Sequence, residues 1–203
     1  MNMSKADEYL AEMVRKRGYV SRVHTLLAKN DLDVLIAYDP VPTSVYVVQR
    51  ALSAELKELG LVVGMAAVRM PAYAIQSHMR KSASLGIAPD TIGEAIDLVE
   101  ADAGRPAHDH ARAAWLQLFD QAPFRNPAPL DRHTREMLRV VTLACLKAPP
   151  GRIAAQMREA IDAGATDVQL LELLELLLPH GGVLTFEHGK AVLDQVLPDD
   201  PTR

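Results

Sequence analysis

The stretch Ser53-Ala-Glu-Leu-Lys-Glu-Leu-Gly-Leu-Val-Val-Gly-Met-Ala-Ala-Val-Arg-Met-Pro71 decides the fold of this chain. Ser53 suits a helix N-cap, because its hydroxyl can accept a backbone N–H from the first turn. Pro71 cannot continue a helix, since it lacks an N–H and clashes with the preceding turn. The spacing predicts a helix from about Ala54 to Met70. Between Leu59 and Val68 it carries no charged residue, so it is expected to be buried on most sides.

Working outward, the same plan recurs. A single shift lays Leu52–Phe119 on Leu130–Leu197 without a gap. Roughly a quarter of the aligned positions are identical, against about one in fifteen by chance, so the chain reads as a duplication. Identical pairs include Glu58/Glu136, Val62/Val140, Pro71/Pro149, Met79/Met157, Gly86/Gly164, Glu94/Glu172, Gly104/Gly182 and His110/His188.

Each copy reads as four helices. In the first, a second helix runs from about Ala72 to Leu85 and stops at Gly86, a natural left-handed terminator. A third begins at Pro89, and a fourth follows Gly104. In the second copy Asp131 caps the first helix and Gly164 ends the second. Thr166 with Gln169 forms a capping box, and Pro179-His180-Gly181-Gly182 breaks before the fourth. The expected organisation is an N-terminal helical arm over 1–51, repeats over 52–120 and 130–198, a proline-rich linker over 121–129 and a tail over 199–203. Within the arm, Ser4 to Arg17 reads as a capped helix stopped by Gly18. One or two short helices follow up to Tyr38, and Pro40 and Pro42 are expected to break the chain.

Composition narrows the function. Hydrophobic residues make up 49% of the chain and aromatics only 4%, which favours helix packing over sheets. A net charge of −4 without a basic stripe argues against nucleic acid. No apolar run approaches the roughly 18 residues of a membrane span. The N-terminal segment lacks the uninterrupted apolar core of a signal peptide. One cysteine, Cys145, excludes an internal disulfide and a Cys-rich zinc site. A cytoplasmic setting is the expectation.

Three segments resemble the carboxymuconolactone decarboxylase and alkylhydroperoxidase D superfamily. They are Leu130-Asp-Arg-His-Thr-Arg-Glu-Met-Leu138, Gln156-Met-Arg-Glu-Ala-Ile-Asp-Ala-Gly-Ala-Thr166 with Gly181-Gly182, and His78-Met-Arg-Lys-Ser-Ala-Ser-Leu-Gly-Ile-Ala-Pro-Asp90. Leu26-Leu-Ala-Lys-Asn-Asp-Leu-Asp33 and Arg50-Ala-Leu-Ser53 are also similar to the family's N-terminal arm. The resemblance covers nearly the whole chain. It implies an all-α fold that assembles as trimers or hexamers, here a homotrimer of two-repeat chains. It also implies two chemistries. Peroxidase members use Cys-x-x-Cys followed four residues later by His, and decarboxylase members remove a carboxylate from a muconolactone without a cofactor.

With His78 as the family histidine, the cysteine positions hold Pro71 and Ala74, and in the second copy Pro149 and Arg152 with Gln156 for the histidine. None is a thiol, and a peroxidase of this type needs a low-pKa thiolate with a resolving partner. Cys145 falls in an apolar helix and reads as core filling. The remaining candidates are His78 as a general acid/base and Glu58 as its partner. In the plain alternative, His78 is satisfied by a carbonyl and Glu58 is a favourable carboxylate near a helix start. The peroxidase branch places its glutamate one position closer to the histidine than Glu58 stands to His78. Glu136 is a further candidate for substrate binding, though with Arg132 and Arg139 at helical spacing it can be an ordinary ion pair. His188 is a candidate pocket residue after the glycine break, and Arg80 could receive a substrate carboxylate. His108 and His110 diverge on a helix, so no metal site is expected. The function that follows is a cofactor-free decarboxylase or related lyase or isomerase on a small carboxylated lactone or keto acid. The alternative is a non-catalytic oligomeric binding protein on the same scaffold.

Overall fold

The computed structural model describes residues 3–119 and 129–197. The protein is all-α, and the described residues contain no strand. The expected tail lies outside the described residues, as does almost all of the expected linker. The chain divides into two compact units, Met1–Val48 and Gln49–Arg203. No described helix is long and apolar enough to cross a membrane.

In the first unit, α1 (Lys5–Arg17) is capped by Ser4, whose hydroxyl accepts the Asp7 N–H, and ends at Gly18 with φ 81°. Helices α2 (Arg22–Asn30) and α3 (Leu32–Tyr38) pack on it around Met13, Ala28 and Leu35. The expected break at Pro40 and Pro42 is corrected. Asp39 keeps helical angles, α4 (Pro40–Pro42) continues, and a π-helical turn runs from Thr43 to Val47. Proline at the first position of a helix loses only an N–H that had no partner there. The chain turns extended at Val48. A buried ion pair, Arg17 with Asp39, ties α1 to this segment, and Arg17 also donates to Thr43 Oγ1 at 2.6 Å.

The second unit is built around α5 (Ala54–Ala67) and α9 (Arg132–Cys145). From Leu56 to Ala67 every residue of α5 is buried, the charged Lys57 and Glu58 included, while Val68 at the end of the uncharged run is exposed. Helices α6 (Ala72–Ser84), α7 (Pro89–Ala103) and α9 pack against it, and α8 (Arg105–Phe119) pairs with α7 and α6. Then come α10 (Pro150–Asp162), α11 (Asp167–Glu175), the short α12 (Leu178–Gly181) and α13 (Val183–Val196), with α10 against α9 and α13. Helix α5 stops short of the expected Met70, because Arg69 adopts φ 52° and turns the chain.

The two halves of this unit follow one plan. Helices α5 and α9, and likewise α6 and α10, start and end at the offset that lays Leu52 on Leu130. Their third and fourth helices start at the same offset. The halves also exchange contacts reciprocally. Glu172 on α11 accepts the N–H groups of Ala51 (2.6 Å) and Leu52 (2.9 Å) ahead of α5 and pairs with the buried Lys57 at 2.5 Å. Glu94 on α7 accepts the Leu130 N–H (2.8 Å) ahead of α9 and pairs with Arg135 at 3.3 Å. Each carboxylate thus satisfies backbone donors of the segment just ahead of a helix cap in the other half.

Candidate functional site

Glu58 lies on α5 and His78 on α6, and both are buried. The structure brings them together, with His78 Nδ1 2.7 Å from Glu58 Oε2. A carboxylate can only accept, so Nδ1 carries the shared proton. Local sequence explains the placement. Ile75, His78, Met79 and Ser82 form the buried stripe of α6 at helical spacing, and the turn at Arg69 folds that stripe onto α5. A buried polar pair of this kind persists only where it is hydrogen-bonded, as these two groups are to each other.

The corresponding place in the second half is built differently. Gln156 Nε2 donates to Glu136 Oε2 at 2.6 Å and to the Glu136 carbonyl at 3.2 Å. Arg139 reaches Glu136 at 3.8 Å but binds Asp102 more closely, with Nε 3.0 Å from Oδ2. The Asp102 carboxylate, nearly fully buried, also accepts from Arg152 at 3.0 Å. The Asp102 hydrogen bond, working against burial and helped by charge, raises Arg139 above its usual range. Of the two arginines at helical spacing from Glu136, Arg139 is in reach and Arg132 is not. Arg132 extends across the surface to Glu159 on α10 at 3.2 Å, a partner that sequence spacing does not reveal. An amide and an ion network therefore replace the imidazole here, and an amide does not exchange a proton near neutral pH.

His188 is part-buried, and its Nε2 meets the Ala148 carbonyl at 3.0 Å. His110 meets the Met70 carbonyl at 2.7 Å. These matched contacts tie each fourth helix to the turn after each first helix. Arg80 is exposed on α6. His108 binds Asp97 at 2.9 Å. Burial pushes its imidazole down, but hydrogen bonds with Asp97 and Asp109 outweigh that and raise it above its usual value. Among the described residues no group of three or more His, Cys, Asp or Glu is placed to hold a metal ion.

Cys145 is buried and free, with its thiol pushed up to about 12 by burial. Its Sγ lies 3.8 Å from His180 Nε2. His180 went unrecognised in the sequence beyond its membership of a chain break. The available signal was its alignment, since the repeat shift lays Asp102, the centre of the other half's network, on His180. Gly64 on α5 makes room for this contact. A Cβ there would meet Val141 Cγ1 at 3.0 Å, Cys145 Sγ at 3.1 Å and His180 Nε2 at 3.4 Å.

Comparison with known protein families and with curated proteins finds no match for this chain.

Proposed function

We propose that the chain is a cofactor-independent acid–base catalyst of the carboxymuconolactone decarboxylase type, acting on a small carboxylated lactone or keto acid. The observation that carries this reading is the buried 2.7 Å contact between His78 and Glu58. A carboxylate that orients an imidazole and balances its positive charge is the arrangement a general acid requires. In decarboxylation the bond from carbon to the carboxylate breaks and CO₂ leaves. The electron pair passes into the adjacent carbonyl as an enolate. His78 then delivers a proton to carbon and regains one from water, with Glu58 holding the imidazolium form meanwhile. Val62, one helical turn after Glu58 on α5, is fully buried, so the pair has an apolar neighbour in the core. Isomerisation of an activated carbonyl compound would use the same groups. The buried, high-pKa Cys145 gives no support to thiol peroxidase chemistry.

A duplicated scaffold, a homotrimeric assembly and a cytoplasmic setting belong to the same reading. The constant offset of helix starts supports the first. Light scattering at micromolar concentration tests the second, and a monomer would count against it.

A second reading, a non-catalytic binding scaffold, draws support from the second half, where the equivalent positions hold an ion network around Asp102. Mass-loss screening with γ-lactone carboxylates and β-keto acids separates the two. Loss of CO₂ by the wild type but not by His78→Gln supports the enzyme. Binding of these acids with neither mass loss nor isomerisation supports the scaffold and ends the enzymatic reading.

A further inference from the structure

We propose that His24 is an acid-sensitive latch of the N-terminal unit, holding α1, α2 and the α4 segment together only while its imidazole is neutral. The inference is independent of the Glu58–His78 reading and concerns Met1–Val48 alone.

The contacts of the ring carry it. His24 stands in the first turn of α2 and is buried, as are Arg17 at the end of α1 and Asp39 just ahead of α4. Its Nδ1 meets the Ser21 backbone N–H at 3.1 Å, and its Nε2 meets Arg17 Nη1 at 3.3 Å. A donor therefore faces each ring nitrogen. A neutral imidazole has one lone pair to offer, whereas an imidazolium donates from both nitrogens and accepts at neither. The Ser21 hydroxyl, 2.9 Å from Nδ1, can accept on that side. On the other side a second proton points at a guanidinium, and the contact turns from attraction into repulsion between two buried cations.

The guanidinium is not free to step aside. Arg17 pairs with Asp39 and donates to the Asp39 carbonyl at 3.0 Å and to Thr43 Oγ1 at 2.6 Å. These bonds join α1 to α4 and the π-helical turn, so a charge on His24 presses on the residue that ties the unit together.

The other groups around the ring bring that charge little relief. Asp39 is already engaged by Arg17 and by the Tyr9 hydroxyl at 3.2 Å. The Tyr38 ring lies 6.3 Å from the His24 ring, centre to centre, and Tyr19, Tyr9 and Tyr46 also surround Arg17. Phenols are neutral in weak acid. On α2 itself Arg22 is a further cation. Burial, and then the charge of Arg17, accordingly pull His24 down to about 4. Because folding lowers its proton affinity, its contribution is full above the unfolded value of about 6.5 and is lost as pH falls toward the folded one. Between the two values opening of the unit takes up one proton, so the open fraction should rise by up to about tenfold per pH unit.

The test is hydrogen exchange of the full chain, wild type and His24→Gln, between about pH 6.5 and 4.5, with protection corrected for intrinsic rates. Glutamine does not titrate in this range and is an ordinary partner for a capping serine at this place in a helix. In wild type the protection of amides in α1, α2 and α3 should fall by roughly 10- to 100-fold across the interval. In His24→Gln it should stay nearly level. Asp39 is common to both proteins, so its titration cancels in the comparison. A level wild-type profile, or the same fall in both proteins, overturns the proposal. If the variant leaves these amides unprotected from the start, NMR of the His24 ring in wild type decides. The fall in protection must then accompany a ring midpoint well below about 6.5, and an ordinary midpoint overturns the latch.

Discussion

Arg69 and Lys147 occupy equivalent places in the two halves and share a rare backbone geometry, with φ 52° and 50°. Among the described residues no other non-glycine residue has positive φ. Each closes the turn after a first helix, followed by a matching hydrogen bond from Met70 N to Met65 O at 2.9 Å and from Ala148 N to Leu143 O at 3.0 Å. A left-handed residue with a Cβ costs about 1–2 kcal/mol, and glycine's extra freedom when unfolded offsets about 0.5–1 of that. Arg69→Gly and Lys147→Gly should therefore each stabilise the protein by about 0.5–1 kcal/mol. Urea unfolding measures this, and a loss of stability would mean that the side chains hold the turns.

His78→Gln makes the first half imitate the second. Gln156 already shows that an amide at this place can reach its glutamate at 2.6 Å. The fold should survive, while turnover of a confirmed substrate should fall by roughly 10²–10⁴, the range for losing a positioned acid or base. Equal turnover in variant and wild type would remove His78 from the chemistry.

Cys145 should behave as a buried neutral thiol. With its proton affinity raised to about 12, almost no thiolate is present at neutral pH. Native protein should react with a thiol reagent far more slowly than protein unfolded in urea. Cys145→Ser should leave activity nearly unchanged, and rapid labelling of the native state would contradict the burial argument.

Glu172 should make the second unit sensitive to acid. Burial pushes its carboxyl up, but the Lys57 hydrogen bond, the Leu52 and Ala51 N–H groups and the Lys57 charge outweigh that and leave it below its ordinary value. Because folding depresses its pKa, its contribution is fully present above the unfolded value of about 4.3 and is lost as pH falls through the folded value. Glu172→Gln should cost about 3–5 kcal/mol at neutral pH, since it leaves Lys57 buried without this counter-charge. The gap between variant and wild type should narrow as the medium is acidified below about pH 4. Urea midpoints across that range check it, and a constant gap would deny the carboxylate this role.

Helix identity was legible in the sequence because its signals are local. Ser53, Asp131 and Thr166 cap, Gly86 and Gly164 terminate, and the uncharged run of α5 announces burial. The Glu58–His78 pairing was legible too, as an absence of helical partners for Glu58 combined with the position of His78. Long-range choices were not. Arg132 takes Glu159 rather than its own helix neighbour, and Glu172 reaches back across the whole first half to Leu52. The prolines of α4 misled because a local rule about helix interiors was applied at a helix start. His180 depends on which turn of the opposite half is nearest, which packing alone decides.

The exchange of carboxylates between Glu94 and Glu172 makes the halves of the second unit an obligate pair in one chain. A half produced alone would lose the partner segment of its carboxylate and expose the apolar face that joins α5 to α9, and it could regain both only by finding another half. Separate halves would then have a stability that depends on their concentration. Joining them in one chain sets a fixed local concentration and removes that dependence. A symmetric homodimer carries the same residue at both equivalent places, whereas one chain holds an imidazole at one place and an amide at the other.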